Sequence, residues 1–400
     1  MTNATYASII PLIGGETIGM QNVFGKRPEY IVSYTPFKNH DAQLLNYYGN
    51  EVPYYLIDQA VGSPSYKKVD VVNSVCPCSG LSSLSGKASG NNPANKWMVE
   101  SSKFVLQNIG PKVLWGENAP ALATRMGEPV VNQLRQLAAE FGYTFSLYKT
   151  KSLLHGLSQI RNRSFYFFWK GDVIPHLPYF NRPNEKIEDT IINAFVSKDD
   201  PMNECINKRT PSEHGIYAYI RKVMHPEMSH SDFQKSLTRT TNVLDYVESK
   251  GVKYNIIGDW LREFGDVQTA NFCGRVYAKL EAGKNIMRRG AMVPKDYIGA
   301  FVSNYPWDLT HPVEDRYITV REALAIMKMP GDFMLQGDIG KNINKVCQNV
   351  PVTTAADMAS GILDYLNGKL DTVNSDFMIQ NNHNQTEEVS TGKSLTTFME

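Results

Sequence analysis

Long apolar runs are missing from this 400-residue chain: no stretch reaches the roughly 18 residues that a membrane-spanning helix needs. The opening thirty residues lack the basic start, apolar core and cleavage site of a secretion signal. Cysteine is scarce as well. Five are present, an odd number with no C-x-x-C pair, which argues against a disulfide framework and a structural zinc and points to a reducing, cytoplasmic compartment. Charge of one sign is also absent, because 41 Lys+Arg against 40 Asp+Glu leave a formal net charge of +1. A polyanionic partner must therefore be met by local patches rather than by the field of the whole surface. What remains is 42% hydrophobic and 20% charged, enough apolar material for two or three domains with real cores.

Short runs rich in β-branched or aromatic residues predict buried strands at 7–13, 30–33, 54–57, 69–75, 113–115, 144–148 and 164–169. Amphipathic stretches predict helices at 96–107 and 128–141, the second capped by Gly142. This alternation is that of an α/β domain. From Gly171 the rhythm breaks at Pro175, Pro178, Pro183, Pro201 and Pro211, which reads as an irregular second domain. Order returns at 319–328, where Thr319 and Glu322 fit a capping box, and at 353–366. The tail after Gly368 is too polar to pack as a domain, and no internal repeat is evident.

Three segments carry chemistry. Ser74-Val75-Cys76-Pro77-Cys78-Ser79-Gly80-Leu81-Ser82 closes an apolar strand, the place where open α/β sheets bind ligands, and Cys78 there is a candidate nucleophile or a buried filler. The small-residue loop that follows, to about Asn95, has glycines at 86 and 90 that suit the hinges of a lid. Glu117-Asn118 follows the strand at 113–115, and a partly desolvated carboxyl there suits acid catalysis near neutral pH, unless it is a solvated loop residue. In Gln159-Ile160-Arg161-Asn162-Arg163 the arginines alternate, so an extended backbone points both to one face, for an anion or for surface ion pairs.

The order of these segments resembles that of the DNA cytosine-5 methyltransferases, whose motifs appear as Pro77-Cys78, Glu117-Asn118 and Gln159-Ile160-Arg161-Asn162-Arg163. Arg316-Tyr317-Ile318-Thr319-Val320-Arg321-Glu322-Ala323-Leu324, the stretch through Pro330-Gly331-Asp332-Phe333, and Gln348-Asn349-Val350-Pro351-Val352 resemble the family's later segments. The resemblance implies a Rossmann-like class I methyltransferase domain over 1–170, a smaller irregular target-recognition domain over 171–315, a return to the catalytic domain over 316–367 and a polar tail over 368–400. It further implies a monomer that uses S-adenosyl-L-methionine and no metal, acts on double-stranded DNA in the bacterial cytoplasm, and serves restriction-modification or bacteriophage self-protection.

By the same resemblance, Cys78 adds to carbon 6 of a flipped cytosine, Glu117 protonates ring nitrogen 3, and Arg163 positions the base. Asn118 orients the Pro77-Cys78 loop, while Arg161 and Gln159 support the loop and the DNA backbone. The cofactor would lie against Ile10, Leu12, Gly14, Gly15, Thr35, Asp58, Pro77, Gln348 and Asn349. DNA would meet Ser79, Gly80, Ser82, Gln159, Lys235, Arg239, Arg288 and Arg289. The chain departs from the family at the cofactor: Ile10 and Leu12 stand for the aromatic and first glycine of the family turn, and Ser33-Tyr34-Thr35-Pro36 offers no acid for the ribose before Asp41. Gln348 replaces the last motif's asparagine, and Lys38 and Lys345 lie nearby in sequence. An RNA cytosine methyltransferase, or a methyltransferase with a modified, carboxylate-bearing donor, are the alternative readings.

Overall fold

A computed structural model describes residues 3–59, 65–77, 79–82, 87–302 and 306–374. Contacts divide the chain into two units: 1–150, 162–180 and 355–400 form the first, and 151–161 with 181–354 the second. The boundary expected near 316 falls in this grouping at 355.

The first unit is built on seven strands: β1 Tyr6–Ile9, β2 Ile31–Ser33, β3 Tyr54–Leu56, β4 Val71–Val75, β5 Val113–Asn118, β6 Tyr143–Lys151 and β7 Asn162–Lys170. Their order across the sheet is β3-β2-β1-β4-β5-β7-β6. The pairings from β3 through β5 are parallel, and β7 runs antiparallel to β5. Strands covered on both faces read as continuous apolar runs, and β1, β4 and β5 are buried along their whole length. On one face of the β5–β7 pair, alternate side chains stack: Trp115 on Phe167 (6.2 Å between centroids, 9°) and Phe167 on Trp169 (5.0 Å, 8°).

Helices α1 Gly15–Phe24, α2 Lys38–Tyr47, α3 Lys96–Asn108 and α4 Glu128–Phe141 flank the sheet strands in sequence. The predicted α4 is found with its predicted cap: Gly142, at φ 72°, donates its N–H to the carbonyls of Ala138 and Ala139. The strand predicted at 7–13 stops at Ile9, because Ile10 (φ 51°) and Leu12 (φ 52°) take the left-handed conformation and turn the chain toward α1. β5 runs three residues further than the apolar pattern suggests, carrying Glu117 and Asn118 as strand residues.

The second unit corrects the reading of 171–315 as irregular. Five short to medium helices, His230–Ser236, Val243–Ser249, Tyr254–Phe264, Val267–Glu281 and Gly215–Tyr219, bury Tyr217, Phe233, Leu244, Ile257, Leu261 and Cys273 in one core. The prolines that broke the pattern sit outside these helices, Pro201 and Pro211 each opening a single 3-10 turn where no donor is needed. The capping box at Thr319 and Glu322 is present, and Arg316 grips the same glutamate with two nitrogens (3.0 and 2.7 Å). Arg321 forms a buried bidentate pair with Asp200 (2.6 and 3.1 Å).

Gly14, the residue before α1, has φ 94°, and a Cβ built on it would collide with the side chain of Leu44. Gly142 has a similar φ but open space around it. Gly14→Ala is therefore expected to cost about 2–4 kcal/mol and Gly142→Ala only about 1 kcal/mol, read as shifts of the urea unfolding midpoint.

Candidate active site

The carboxyl ends of β1, β4 and β5 gather the polar residues of the first unit. Parallel register sets Ile9 beside Ser74 and Val75 beside Glu117, while the antiparallel register of β7 sets Phe165 opposite Glu117 and Ser164 opposite Asn118. Arg163, one residue beyond that ladder, turns its Nε onto Glu117 Oε1 in an ion pair, with side-chain exposures of 14% and 3%. Glu117 is thus no solvated loop residue. Asn118 donates Nδ2–H to the carbonyl of Cys76 (3.4 Å) and accepts the N–H of Ala119 (2.8 Å), which ties the end of β5 to the chain just before Pro77. Cys78 itself lies outside the described residues.

Beneath this pair the core is polar. Ser8 donates to Asn73 Oδ1 (2.7 Å) and lies 2.9 Å from the hydroxyl of Thr17, and Asn73 also donates to Thr17 (3.3 Å). Cys76 Sγ lies 3.3 Å from the hydroxyls of both Ser74 and Ser101. Burial pushes its thiol up, with Ser101, Ser74 and Tyr166 opposing the shift. Glu16, in the first turn of α1, is completely buried, and neither carboxyl oxygen closes a hydrogen bond. Burial drives its carboxyl well above the usual range, the nearby Glu117 adds to this, and Ser74 and Asn73 partly oppose it. Sequence reasoning missed Glu16, since Gly-Gly-Glu-Thr reads as an ordinary polar helix start.

Past β1, Leu12 holds a positive φ usually left to glycine, and Gly14 and Gly15 lead into α1. The Thr35 amide and hydroxyl donate to Asp58 (3.0–3.1 Å), joining the two exposed residues that follow β2 and β3. Asp41, on α2, is fully buried and accepts the hydroxyl hydrogen of Tyr54 at 2.9 Å. Burial pushes its carboxyl up to about 7 against the favourable contacts of Ser33, Tyr54 and the Leu12 backbone.

The loop after Cys78 is pinned at its ends rather than loose. The Gly80 carbonyl accepts from the Ser89 amide (2.9 Å), and buried Asn95 donates to the carbonyls of Ser89 (2.9 Å) and Gly90 (3.0 Å). A Cβ on Gly90 would strike the Met126 carbonyl, so this glycine serves close packing and not hinge freedom. Ser79 is exposed, Gly80 buried, Ser82 half-buried and Pro77 half-buried, while Gly86 lies outside the described residues.

The two arginines expected on one face belong to different units. Arg161 is buried in the second, donating to the carbonyls of Cys347 (3.1 Å) and Phe301 (3.4 Å). There Gln159 accepts the Phe301 amide (3.1 Å), through the parallel pairing of Gln159–Ile160 with Ile298–Gly299. Asn349 is buried against Met329, Gln348 bonds Asn344 (3.2 Å), and Lys345 gives its ammonium to the Gln336 carbonyl (2.9 Å). Lys235, Arg239 and Arg289 are exposed, whereas Arg288 is held by Asp245 (2.6 Å) and Glu248 (2.9 Å). Arg289 joins Arg209 and Arg275 around a cavity of about 360 Å³, with Asn207, Gln268 and Asp308 also on its wall.

Residues 8–364 match the family model of the C-5 cytosine-specific DNA methylases. The chain belongs to that family. The enzyme is thus a DNA cytosine-5 methyltransferase of mixed α/β fold with a mainly parallel central sheet, as in methyltransferases of known structure. One of these, described as a DNA modification methyltransferase encoded within a prophage of E. coli, is 14% identical with a TM-score of 0.57, over 91% of this chain and 99% of that one. The Entamoeba histolytica methyltransferase EhMeth is 11% identical with a TM-score of 0.51, over 92% and 99%. No curated protein matches the chain.

Two outcomes follow from the buried charges. Arg163→Gln leaves Glu117 without its cation and is expected to cost about 3–5 kcal/mol in urea unfolding, with much of this recovered in Glu117→Gln/Arg163→Gln. Asp41 has a folded-state value above its unfolded one, so its contribution is present below the ordinary carboxylate range and is lost as pH rises through about 7. Asp41→Asn should therefore gain on the wild type between pH 4 and pH 8, by up to about 4 kcal/mol, in unfolding curves taken at both pH values.

Proposed function

We propose that the enzyme transfers a methyl group from S-adenosyl-L-methionine to carbon 5 of a cytosine flipped out of duplex DNA, through a covalent adduct of Cys78 at carbon 6. The observation that carries this reading is the buried Glu117–Arg163 pair on adjoining strands, with Asn118 tied to the main chain two residues before Cys78. The Cys78 thiolate forms the S–C6 bond as Glu117 gives a proton to ring nitrogen 3, which leaves carbon 5 electron-rich enough to take the methyl group. Carbon 5 then loses its proton to water, the S–C6 bond breaks, and the nitrogen 3 proton returns to Glu117. Arg163 orients both the acid and the base.

The cofactor supplies an electrophilic methyl group on a sulfonium. The first unit's residues fit it: the left-handed Leu12 preserves the close backbone approach of a glycine turn, Gly14 and Gly15 open α1, and Asp58 offers a carboxylate beside Thr35. Ile10 and Pro77 would complete the apolar wall. In the second unit the exposed Arg209, Arg275 and Arg289 around one cavity support contact with DNA phosphates or base edges, alongside Lys235 and Arg239. Arg288 is engaged by Asp245 and Glu248.

Cys78→Ser is expected to lose turnover while retaining DNA binding in a gel-shift assay. Duplex DNA with 5-fluorocytosine should trap the wild type covalently, because fluorine cannot leave carbon 5 as a proton. Covalent trapping of Cys78→Ser would overturn the assignment.

A further inference from the structure

The cavity of about 360 Å³ in the second unit carries charges of both signs on its wall, Arg209, Arg275 and Arg289 against Asp308, together with the ring of Phe272. Arg209 is held in place. Its backbone N–H donates to Asn207 Oδ1 (3.1 Å), and Asn207 Nδ2 donates to the Trp307 carbonyl (3.3 Å), which joins the segment of Arg209 to that of Asp308. Its guanidinium donates through one terminal nitrogen to His214 Nε2 (2.6 Å) and through the other to Gln268 Oε1 (3.3 Å). An arginine can only donate, so Nε2 is the acceptor, and the His214 proton sits on Nδ1, 3.0 Å from Asp266 Oδ2. Asp266 is fixed in turn by the amides of Gly215 and Thr269, each at 3.0 Å. Burial lowers the His214 imidazole below its ordinary range, with Asp266 opposing and Arg209 adding to the shift, in keeping with this neutral form. The remaining guanidinium N–H groups of Arg209 are left for a ligand.

Asp308 is the complement. No hydrogen bond from a described residue reaches its carboxylate: burial pushes it up to about 6, and the charge of Arg289 opposes the shift. A free phosphate would meet this carboxylate as a like charge, a cation would meet three guanidiniums, and a zwitterionic amino acid would leave guanidiniums over. Guanine matches both signs, because O6 and N7 are adjacent acceptors for a guanidinium while N1–H and N2–H are adjacent donors for a carboxylate. Adenine sets a lone pair at N1, and cytosine offers a carboxylate only its amino group. In a duplex the N1 and N2 edge faces the paired base, so the ligand is an unpaired guanine, and a concave site suits a base that has left its stack. We propose that this cavity binds an unpaired guanine nucleotide, Arg209 donating to O6 and N7, Asp308 accepting from N1 and N2, and Arg275 and Arg289 meeting the phosphate, with His214 the positioning residue that presets Arg209. A base swung out of DNA and a free nucleotide share this chemistry. The site extends the DNA-contacting role of these arginines and does not depend on the methyl-transfer step.

Calorimetry on the full chain with deoxynucleoside monophosphates tests the site without turnover. The guanine nucleotide should bind at least about tenfold more tightly than the adenine or cytosine nucleotide, and inorganic phosphate more weakly still. Equal affinity for the three nucleotides would reduce the cavity to a phosphate site and overturn the proposal. Asp308→Asn should lose the guanine preference and favour the xanthine nucleotide, whose O2 accepts from the new amide where N2 of guanine donated to the carboxylate. A guanine preference that survives this change would also overturn it. His214→Phe should weaken guanine nucleotide binding by about tenfold, and His214→Gln, which keeps an acceptor for Arg209, should restore it to within about threefold. Wild-type affinity in His214→Phe would overturn the presetting of Arg209. Duplex DNA with a single bulged guanine separates the two sources: competition with the guanine nucleotide identifies a base swung out of DNA, and binding of the mononucleotide without competition identifies a free nucleotide. Since none of these measurements involves Cys78 or methyl transfer, a negative result here leaves the proposed reaction standing, and a failed methylation assay leaves this site standing.

Discussion

A carboxylate at the end of a fully buried strand is unstable unless something meets its charge, and at Glu117 that something is Arg163. The two come together because β7 runs antiparallel to β5, which brings the start of one strand to the end of the other. Everything chemical in the first unit is arranged around this contact: Asn118 ties it to the Cys76 backbone, the Ser8–Thr17–Asn73 hydrogen bonds close the polar layer beneath it, and the Trp115–Phe167–Trp169 stack holds the two strands in register. Shifting β7 by one residue would move Arg163 to the other face and expose this stack.

The ends of β1, β2 and β3 follow a different economy. Leu12 takes a left-handed conformation that costs a non-glycine residue about 1–2 kcal/mol, and the neighbouring Asp41 carboxyl and the Gly14–Leu44 contact hold it there. Leu12 thus takes a backbone conformation usually left to glycine, which a reading of glycine positions alone does not reveal.

Much of this was legible in the sequence. The strands of the sheet and α4 announced themselves through apolar runs and the Gly142 cap, and Glu117, Asn118 and Arg163 through their order along the chain. The helical second unit was not legible: prolines break the pattern before residue 215, and beyond it Lys and Arg scattered among Tyr, Asn, Gln and Thr hide the apolar faces of helices that no proline interrupts. The end of β5 was hidden by its polar residues, which are strand by virtue of their neighbours in the sheet and not by propensity. Glu16 and Asp41 gave no signal at all: a buried acid differs from an exposed one only in what surrounds it. The apparent pairing of Arg161 with Arg163 misled for a related reason, since alternation fixes a common face only while the strand continues, and here it breaks between them.

The strand order β5-β7-β6 also bears on how the protein is made. During synthesis β6 emerges before β7, yet its place beside β5 is taken by the later strand. Any early pairing of β5 with β6 must part before β7 can enter, and β7 brings Arg163 with it. Until then Glu117 is a carboxylate on an open sheet edge, free to be solvated. The Glu117–Arg163 pair therefore closes only once β7 has entered the sheet, and until then the Glu117 carboxylate is not buried unpaired.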